Sequence, residues 1–151
     1  MKVPAPGQAT PAARILLVDD NRLGLIARTA VLEEQGHRVT TATEGAEAFE
    51  QFSRGHFDLL ITDYKMPRMN GLELIRKVRE VKPGIPIILI SGYAEALGLT
   101  EANTGADAVI PKSAQEVQHL VRNVNRLLRR ATPKKPMAAL TAKAKTRVRA
   151  G

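Results

Sequence analysis

The sequence predicts an α/β fold, a doubly wound, five-stranded parallel sheet in the strand order 2-1-3-4-5 with five helices. Two observations predict the sheet, and this order is the one in which they place a crevice at the acidic strand ends. Apolar runs of four to six residues alternate with stretches at helical period, the pattern of repeated βα units whose strands are buried on both faces. Four of these runs stop at polar residues, namely Asp19 with Asp20, Asp63, Ser91 and Lys112, so parallel pairing gathers all of them on one edge. Right-handed crossovers then give an open sheet with its ligand crevice where the order reverses, between the first and third strands.

The first strand, 14–18, leads into a helix that Asn21 caps and Gly36 closes. Leu23, Ile26, Ala27, Ala30 and Val31 recur at i, i+3, i+4, i+7 and i+8, and this stripe is expected to face the core. The second strand, 37–42, alternates and contains two threonines, as a partly solvated edge strand does. Thr43 is placed to cap a second helix that turns Ala48, Phe49 and Phe52 inward and stops near Gly55. The third strand, 57–62, delivers Asp63 to a loop over 64–70, which cannot be helical because Pro67 disfavours the α region at Met66.

Asn70 and Glu73 are cap and N3 partner of a third helix with Leu74, Ile75, Val78 and Val81 inward, and Pro83-Gly84 turns the chain into the fourth strand, 85–90. The fourth helix, 94–103, contains Gly98 and Thr100 and lacks a strong apolar stripe, so it is expected to be the least stable element. The fifth strand, 108–110, precedes a capping box of Ser113 and Glu116 and a helix striped by Val117, Leu120, Val121, Val124, Leu127 and Leu128.

Length and composition suit one domain, expected over 13–130, with a disordered extension at 1–12 and a basic disordered tail at 131–151. The absence of cysteine excludes thiolate catalysis, disulfides and Cys-ligated metals. His37, His56 and His119 have no metal-ligand spacing and read as surface or boundary residues. No signal-peptide core and no apolar run of roughly 20 residues occurs, so a soluble, cytoplasmic protein without membrane insertion is expected. The net charge of +8 resides wholly in residues 129–151, which hold eight basic residues and no acid, while residues 1–128 hold 15 of each sign. A polyanionic partner would therefore meet the tail and not a groove on the domain.

Three carboxylates brought within a few ångströms repel one another, and their ionised forms are tolerable only with a cation among them. Mg²⁺ suits such a set, because it takes octahedral oxygen ligation, keeps several waters and leaves a position open for a phosphate oxygen. Lys112 balances the remaining charge from the opposite side, and Ser91 offers a hydroxyl donor. A site of this kind stabilises a phosphoryl group in transfer by charge and position, with a carboxylate as nucleophile.

The stretches Ile15-Leu16-Leu17-Val18-Asp19-Asp20-Asn21, Asp63-Tyr64-Lys65-Met66-Pro67-Arg68-Met69-Asn70-Gly71-Leu72-Glu73, Ile90-Ser91-Gly92, and Gly105-Ala106-Asp107 ahead of Lys112 resemble the receiver domain of bacterial two-component response regulators, over about 13–130. The ordered set is specific where a lone Asp-Asp would be weak. The resemblance implies a flavodoxin-like strand order, with Asp63 as phosphoacceptor. It implies that Asp20 and Asp63 ligate Mg²⁺ directly, that Asp19 acts through water, that the backbone carbonyl of Lys65 completes the protein ligands, and that Ser91 and Lys112 hold phosphoryl oxygens. It further implies a phosphohistidine donor on a sensor histidine kinase or phosphotransfer protein, later hydrolysis by water, output through a downstream protein, and no activity on a free metabolite.

Departures from the family pattern set further expectations. Ser113 follows Lys112 where the family usually has proline, and a cis bond there without proline costs about 3 kcal/mol, so the loop is expected to be either trans with Lys112 displaced, or strained. Val109 stands where the family commonly has Tyr or Phe three residues before the lysine, which weakens the expected coupling from phosphate to the face of strands four and five. Lys65 and Tyr93 flank the site and are expected to alter the phosphate lifetime. Two other readings stand beside the phosphorylated receiver: a receiver-like adaptor with impaired switching, and a protein that contacts nucleic acid nonspecifically through its basic tail.

Overall fold

The computed structural model describes residues 10–131. Strands β1 (Arg14–Val18), β2 (Arg38–Ala42), β3 (Leu59–Asp63), β4 (Ile87–Ser91) and β5 (Ala108–Pro111) form one parallel sheet in the order β2-β1-β3-β4-β5. The register sets Val18 beside Thr62, Asp63 beside Ile90 and Ser91 beside Pro111, so the carboxyl ends of the four strands from β1 to β5 lie along one edge. Of the extensions expected at 1–12 and 131–151, all but 10–12 and 131 lie outside the described residues, and Ala131 is the last residue of the C-terminal helix.

The side-chain period of two sorts the strands into two cores. Ile15 and Leu17, Leu59 and Ile61, Ile88 and Ile90, Ala108 and Ile110 face one layer, made by α1 (Arg22–Glu34) and the C-terminal helix, with Leu32, Leu120 and Val124 packed on them. Leu16 and Val18, Leu60, Ile87 and Leu89 face the other, made by α2 (Gly45–Arg54) and α3 (Gly71–Val81), with Phe52, Leu74 and Val78. β1, β3 and β4 are buried on both faces apart from Arg14, which accounts for their uninterrupted apolar character.

Among the described residues there are six helices where five were expected. The fourth expected helix is broken into α4 (Ala94–Leu97) and α5 (Glu101–Thr104), because Gly98 adopts a left-handed conformation at φ 64° and Thr100 starts a new turn, its hydroxyl taking the Asn103 N–H while the Asn103 side chain accepts from the Thr100 N–H. The C-terminal helix is therefore α6 (Glu116–Ala131).

Asn21 caps α1, accepting from the N–H groups of Leu23 and Gly24, and Asn70 with Glu73 forms the reciprocal capping box of α3. Two expected caps do not form. Glu44, not Thr43, is the N-cap of α2, and Thr43 instead donates from its N–H and hydroxyl to the Glu47 carboxylate. The Glu116 carboxylate does not close a box onto Ser113, because Arg28 of α1 holds it at 2.6 Å.

The face of α1 is the largest correction. Leu23 and Ile26 are 77% and 65% exposed, Ala27 and Ala30 are also exposed, and the buried positions are Leu25, Arg28 and Leu32. A hydrophobicity count could not choose this phase, since it requires an arginine to point inward. His37, read as a boundary residue, is buried and accepts the Ala13 N–H at Nδ1, which fastens the start of β1 to that of β2.

These packing assignments predict unequal costs along one helix. Leu32→Ala is expected to destabilise the chain by about 3 kcal/mol, and Leu23→Ala or Ile26→Ala by less than about 0.5 kcal/mol each, in urea denaturation. Equal losses would mean that α1 packs in the phase of its apolar stripe.

Candidate functional site

Strand pairing alone assembles the site. β1 and β3 are neighbours, so the residues just past Val18 and at the end of β3 meet: Asp19, Asp20 and Asp63 each offer a carboxylate oxygen within 4.8 Å of the others, the one such group among the described residues. Asp19 and Asp63 are buried and Asp20 is exposed. The Asp19 N–H continues the ladder by donating to the Ala42 carbonyl at 3.1 Å, which fixes its backbone before the chain turns into α1.

The two buried carboxylates are held by different partners. Asp63 accepts the Tyr64 N–H at 2.9 Å on Oδ1 and the Lys112 ammonium at 3.2 Å on Oδ2. Asp19 accepts the Asn21 N–H at 2.9 Å on Oδ1 and the Arg28 guanidinium at 2.5 Å on Oδ2. Arg28 was not foreseen as a site residue. An arginine among apolar helical positions was the one sequence signal available, and helical periodicity alone places it in solvent.

Lys112 reaches Asp63 although every described peptide bond is trans. Neither alternative set out for this loop occurs in the form expected, since the bond to Ser113 is trans and Lys112 is not displaced. The ladder explains it: the Lys112 N–H donates to the Ser91 carbonyl at 3.1 Å, so β4–β5 pairing carries the lysine to the edge without help from a cis bond.

Ser91, at the end of β4, is buried, and its hydroxyl accepts the Tyr93 N–H at 2.9 Å, leaving its own proton available. Lys65 and Tyr93 meet over the opening, with the ammonium 3.4 Å from the phenol oxygen and 5.2 Å from the ring centroid. Below them Asp20, Asp63 and Lys112 line an open cleft of about 890 Å³. Val109 is half-buried against the α2 and α3 layer.

The loop after β3 is braced at its far end. The Gly71 N–H donates to the Tyr64 carbonyl at 2.7 Å, and a Cβ at Gly71 would collide with the Asp63 carbonyl oxygen, so α3 approaches the backbone of the acidic strand end only because the residue is glycine.

Electrostatically the pocket carries excess negative charge. Burial pushes the Asp63 carboxyl up to about 6, the charge on Asp19 adds to the rise, and the Lys112 ammonium and the Tyr64 N–H pull the other way. Carboxylate oxygens beside a backbone-rich loop, with no thiolate or imidazole, form a donor set that fits a hard divalent cation such as Mg²⁺ and suits a soft one poorly.

Residues 15–125 match the family model described as the response regulator receiver domain. The chain is 32% identical over 115 residues to the response regulator receiver protein CpdR of Brucella abortus, covering 76% of this chain and 96% of that protein. It is 35% identical over 123 residues to the DNA-binding transcriptional regulator NtrC of Azospirillum brasilense, covering 81% of this chain but 25% of that longer protein. Among solved structures, the response regulator TrrA of Thermotoga maritima in complex with Mg²⁺-BeF is 34% identical with a TM-score of 0.70, covering 76% of this chain and 98% of that one. A receiver domain protein from Methanospirillum hungatei is 31% identical with a TM-score of 0.73, covering 80% and 97%.

The raised carboxyl predicts a pH dependence in metal-free buffer. Below the ordinary carboxylate pKa, Asp63 is protonated in folded and unfolded chains alike and its favourable contribution is complete. As pH rises toward 6 the unfolded chain ionises first, so that contribution is lost, and above about 6 the loss is full. Asp63→Asn escapes it and is expected to be more stable than the wild type by about 2 kcal/mol at pH 8 in EDTA, with the gap closing by about pH 4. An Asp63→Asn chain no more stable than the wild type at pH 8 would contradict this electrostatic account.

Proposed function

The chain belongs to the response regulator receiver domain family of two-component systems, and on that premise we propose that it accepts a phosphoryl group onto Asp63 from a phosphohistidine on a sensor histidine kinase or phosphotransfer protein. The single observation that carries the reading is the position of Asp63, a buried carboxylate at the floor of an open cleft, with a cationic amine on one side and two further carboxylates on the other. In the transfer an Asp63 oxygen attacks phosphorus in line, the phosphorus–nitrogen bond breaks, and the donor imidazole leaves. Lys112 moves from the carboxylate to an oxygen of the incoming group, and the Ser91 hydroxyl donates to another.

Mg²⁺ would be held by Asp20, Asp63 and the backbone carbonyl of Lys65, with Asp19 acting through water, and when bound it neutralises the charge of carboxylate and phosphoryl group together. Arg28 and Lys112 together balance only part of the negative charge of three carboxylates, which supports a divalent cation in the same place. The Lys65–Tyr93 contact across the opening restricts the approach of hydrolytic water and is expected to lengthen the life of the aspartyl phosphate.

We assign the receiver to 13–130, with 1–12 and 131–151 as flanking extensions, in a cytoplasmic protein whose output passes to a downstream protein. No helix among the described residues is long and apolar enough to cross a membrane. Val109 favours a second reading, a receiver-like adaptor whose phosphorylation is weakly coupled to its β4–β5 face, because valine has no ring to swing toward the site. The eight basic residues of 129–151 favour nonspecific nucleic acid contact through the tail in either case.

With Mg²⁺ and acetyl phosphate, intact-mass measurement is expected to find one phosphoryl group on the wild type and none on Asp63→Asn, with labelling slowed about 100-fold by Lys112→Ala. After donor removal, Lys65→Asn with Tyr93→Glu is expected to lose label faster. Labelling that persists in Asp63→Asn overturns the assignment, and an unchanged loss rate removes the role of the Lys65–Tyr93 contact. For the tail, DNA affinity at low salt is expected to vanish on deletion of 131–151 and to fall steeply with added salt, and affinity that survives deletion excludes the tail as its source.

A further inference from the structure

Arg28 occupies an unusual place for a charged residue, 8% exposed in the layer between α1, α6 and the sheet. Its guanidinium is shared. Nη1 donates to Asp19 Oδ2 at 2.5 Å and Nε donates to Glu116 Oε2, on the first residue of α6, at 2.6 Å. Because Asn21 already donates to the other oxygen of Asp19, both oxygens of this carboxylate are engaged within the protein.

The backbone makes room for the pair. Gly24 lies one helical turn before Arg28, and a Cβ there would sit 2.7 Å from Asp19 Oδ2 and 2.9 Å from Arg28 Nη1. Any other residue at position 24 would press on the contact. The missing side chain, the buried guanidinium and a second carboxylate brought from α6 are three separate features that converge on one ion pair of the acidic pocket.

We propose that Arg28 is a positioning residue of the pocket, which clamps the Asp19 carboxylate against α1 and α6 and, as a fixed positive charge, lowers the affinity of the three carboxylates for a divalent cation. This rests on the reading of the pocket as a Mg²⁺ site. A cation entering among the acids must share Asp19 with a guanidinium that Glu116 prevents from swinging away, and two positive charges close together in a poorly solvated place repel each other. Metal occupancy is thereby linked to the first turn of α6 through one side chain, and the linkage is reciprocal: whatever loosens Glu116 from Arg28 changes the hold on Asp19.

The test is a calorimetric titration with MgCl₂, repeated with Mn²⁺ by the loss of its free-ion EPR signal, on the wild type and on the double variant R28M/E116Q, which leaves the net charge of the chain unchanged. The double variant is expected to bind about tenfold more tightly while melting at a lower temperature. A merely structural role gives the opposite sign, since a loosened pocket binds metal more weakly. Affinity within twofold of the wild type, or weaker, in a folded double variant overturns the role of Arg28 while leaving the Mg²⁺ site intact. A wild type that binds neither ion overturns the site and the inference together. Should the double variant not fold, R28Q, which keeps a donor for Asp19 and removes only the charge, is titrated against the same two outcomes.

Discussion

Like charge held at the ends of two adjacent parallel strands is the constraint on which this molecule is organised. Asp19 and Asp63 are both buried, and with Asp20 their oxygens come within 4.8 Å of one another. The protein answers the repulsion from two sides. Lys112 comes from the end of β5 to Asp63, and Arg28 comes from α1 to Asp19. The Asp63 carboxyl is nonetheless pushed up, first by burial and then by the charge on Asp19. Three carboxylates against two cationic side chains make a donor set that suits a cation with hard-oxygen preference.

The scaffold makes the arrangement rigid at little expense in special chemistry. Parallel pairing puts every strand end of interest on one edge, and backbone hydrogen bonds just beyond the strands, from Asp19 to Ala42 and from Lys112 to Ser91, extend that order by one residue into the site. Burial of the central strands on both faces leaves them no freedom to shift register, because a slip of one residue would exchange the two apolar layers. By contrast the rim is built from short loop pieces: Lys65, Met66 and Pro67 in the loop that Gly71 lets α3 brace, and Gly92 and Tyr93 just past β4. The charged floor is thus fixed by the sheet while the mouth is made of loop residues.

Sequence reasoning succeeded where a signal is local or strictly periodic. The strand runs, the Asn21 and Asn70 caps and the α6 stripe from Leu120 on depend on a few consecutive residues or on an even repeat, and each has its expected place, whereas Val117 at the head of that stripe is exposed. It failed where one distant side chain redirected another. Glu116 has the spacing of a capping residue, but Arg28 offers it a charge-assisted hydrogen bond, and the cap is forgone. The same arginine lies on the buried face of α1 with Leu25 and Leu32, and Leu23 and Ile26 are left outside. The helix that divides at Gly98 was weak by composition, yet where it would break followed from a left-handed turn that composition does not locate.

The sequence by itself determined the number of strands and helices to within one helix and which polar residues end the strands, because the alternation of apolar runs and the residues that end them are written along the chain. Only the tertiary structure decided how the charges are partnered: that Lys112 attains Asp63 through the ladder with a trans backbone, that Ser91 turns its oxygen to the Tyr93 N–H, and that Asp19 is bound to Arg28 and, through it, to α6. Ion pairs between residues nine and 88 positions apart leave no periodic trace, since a charge chooses its partner by distance in space and by the absence of competing water, and both exist only once the layers have closed.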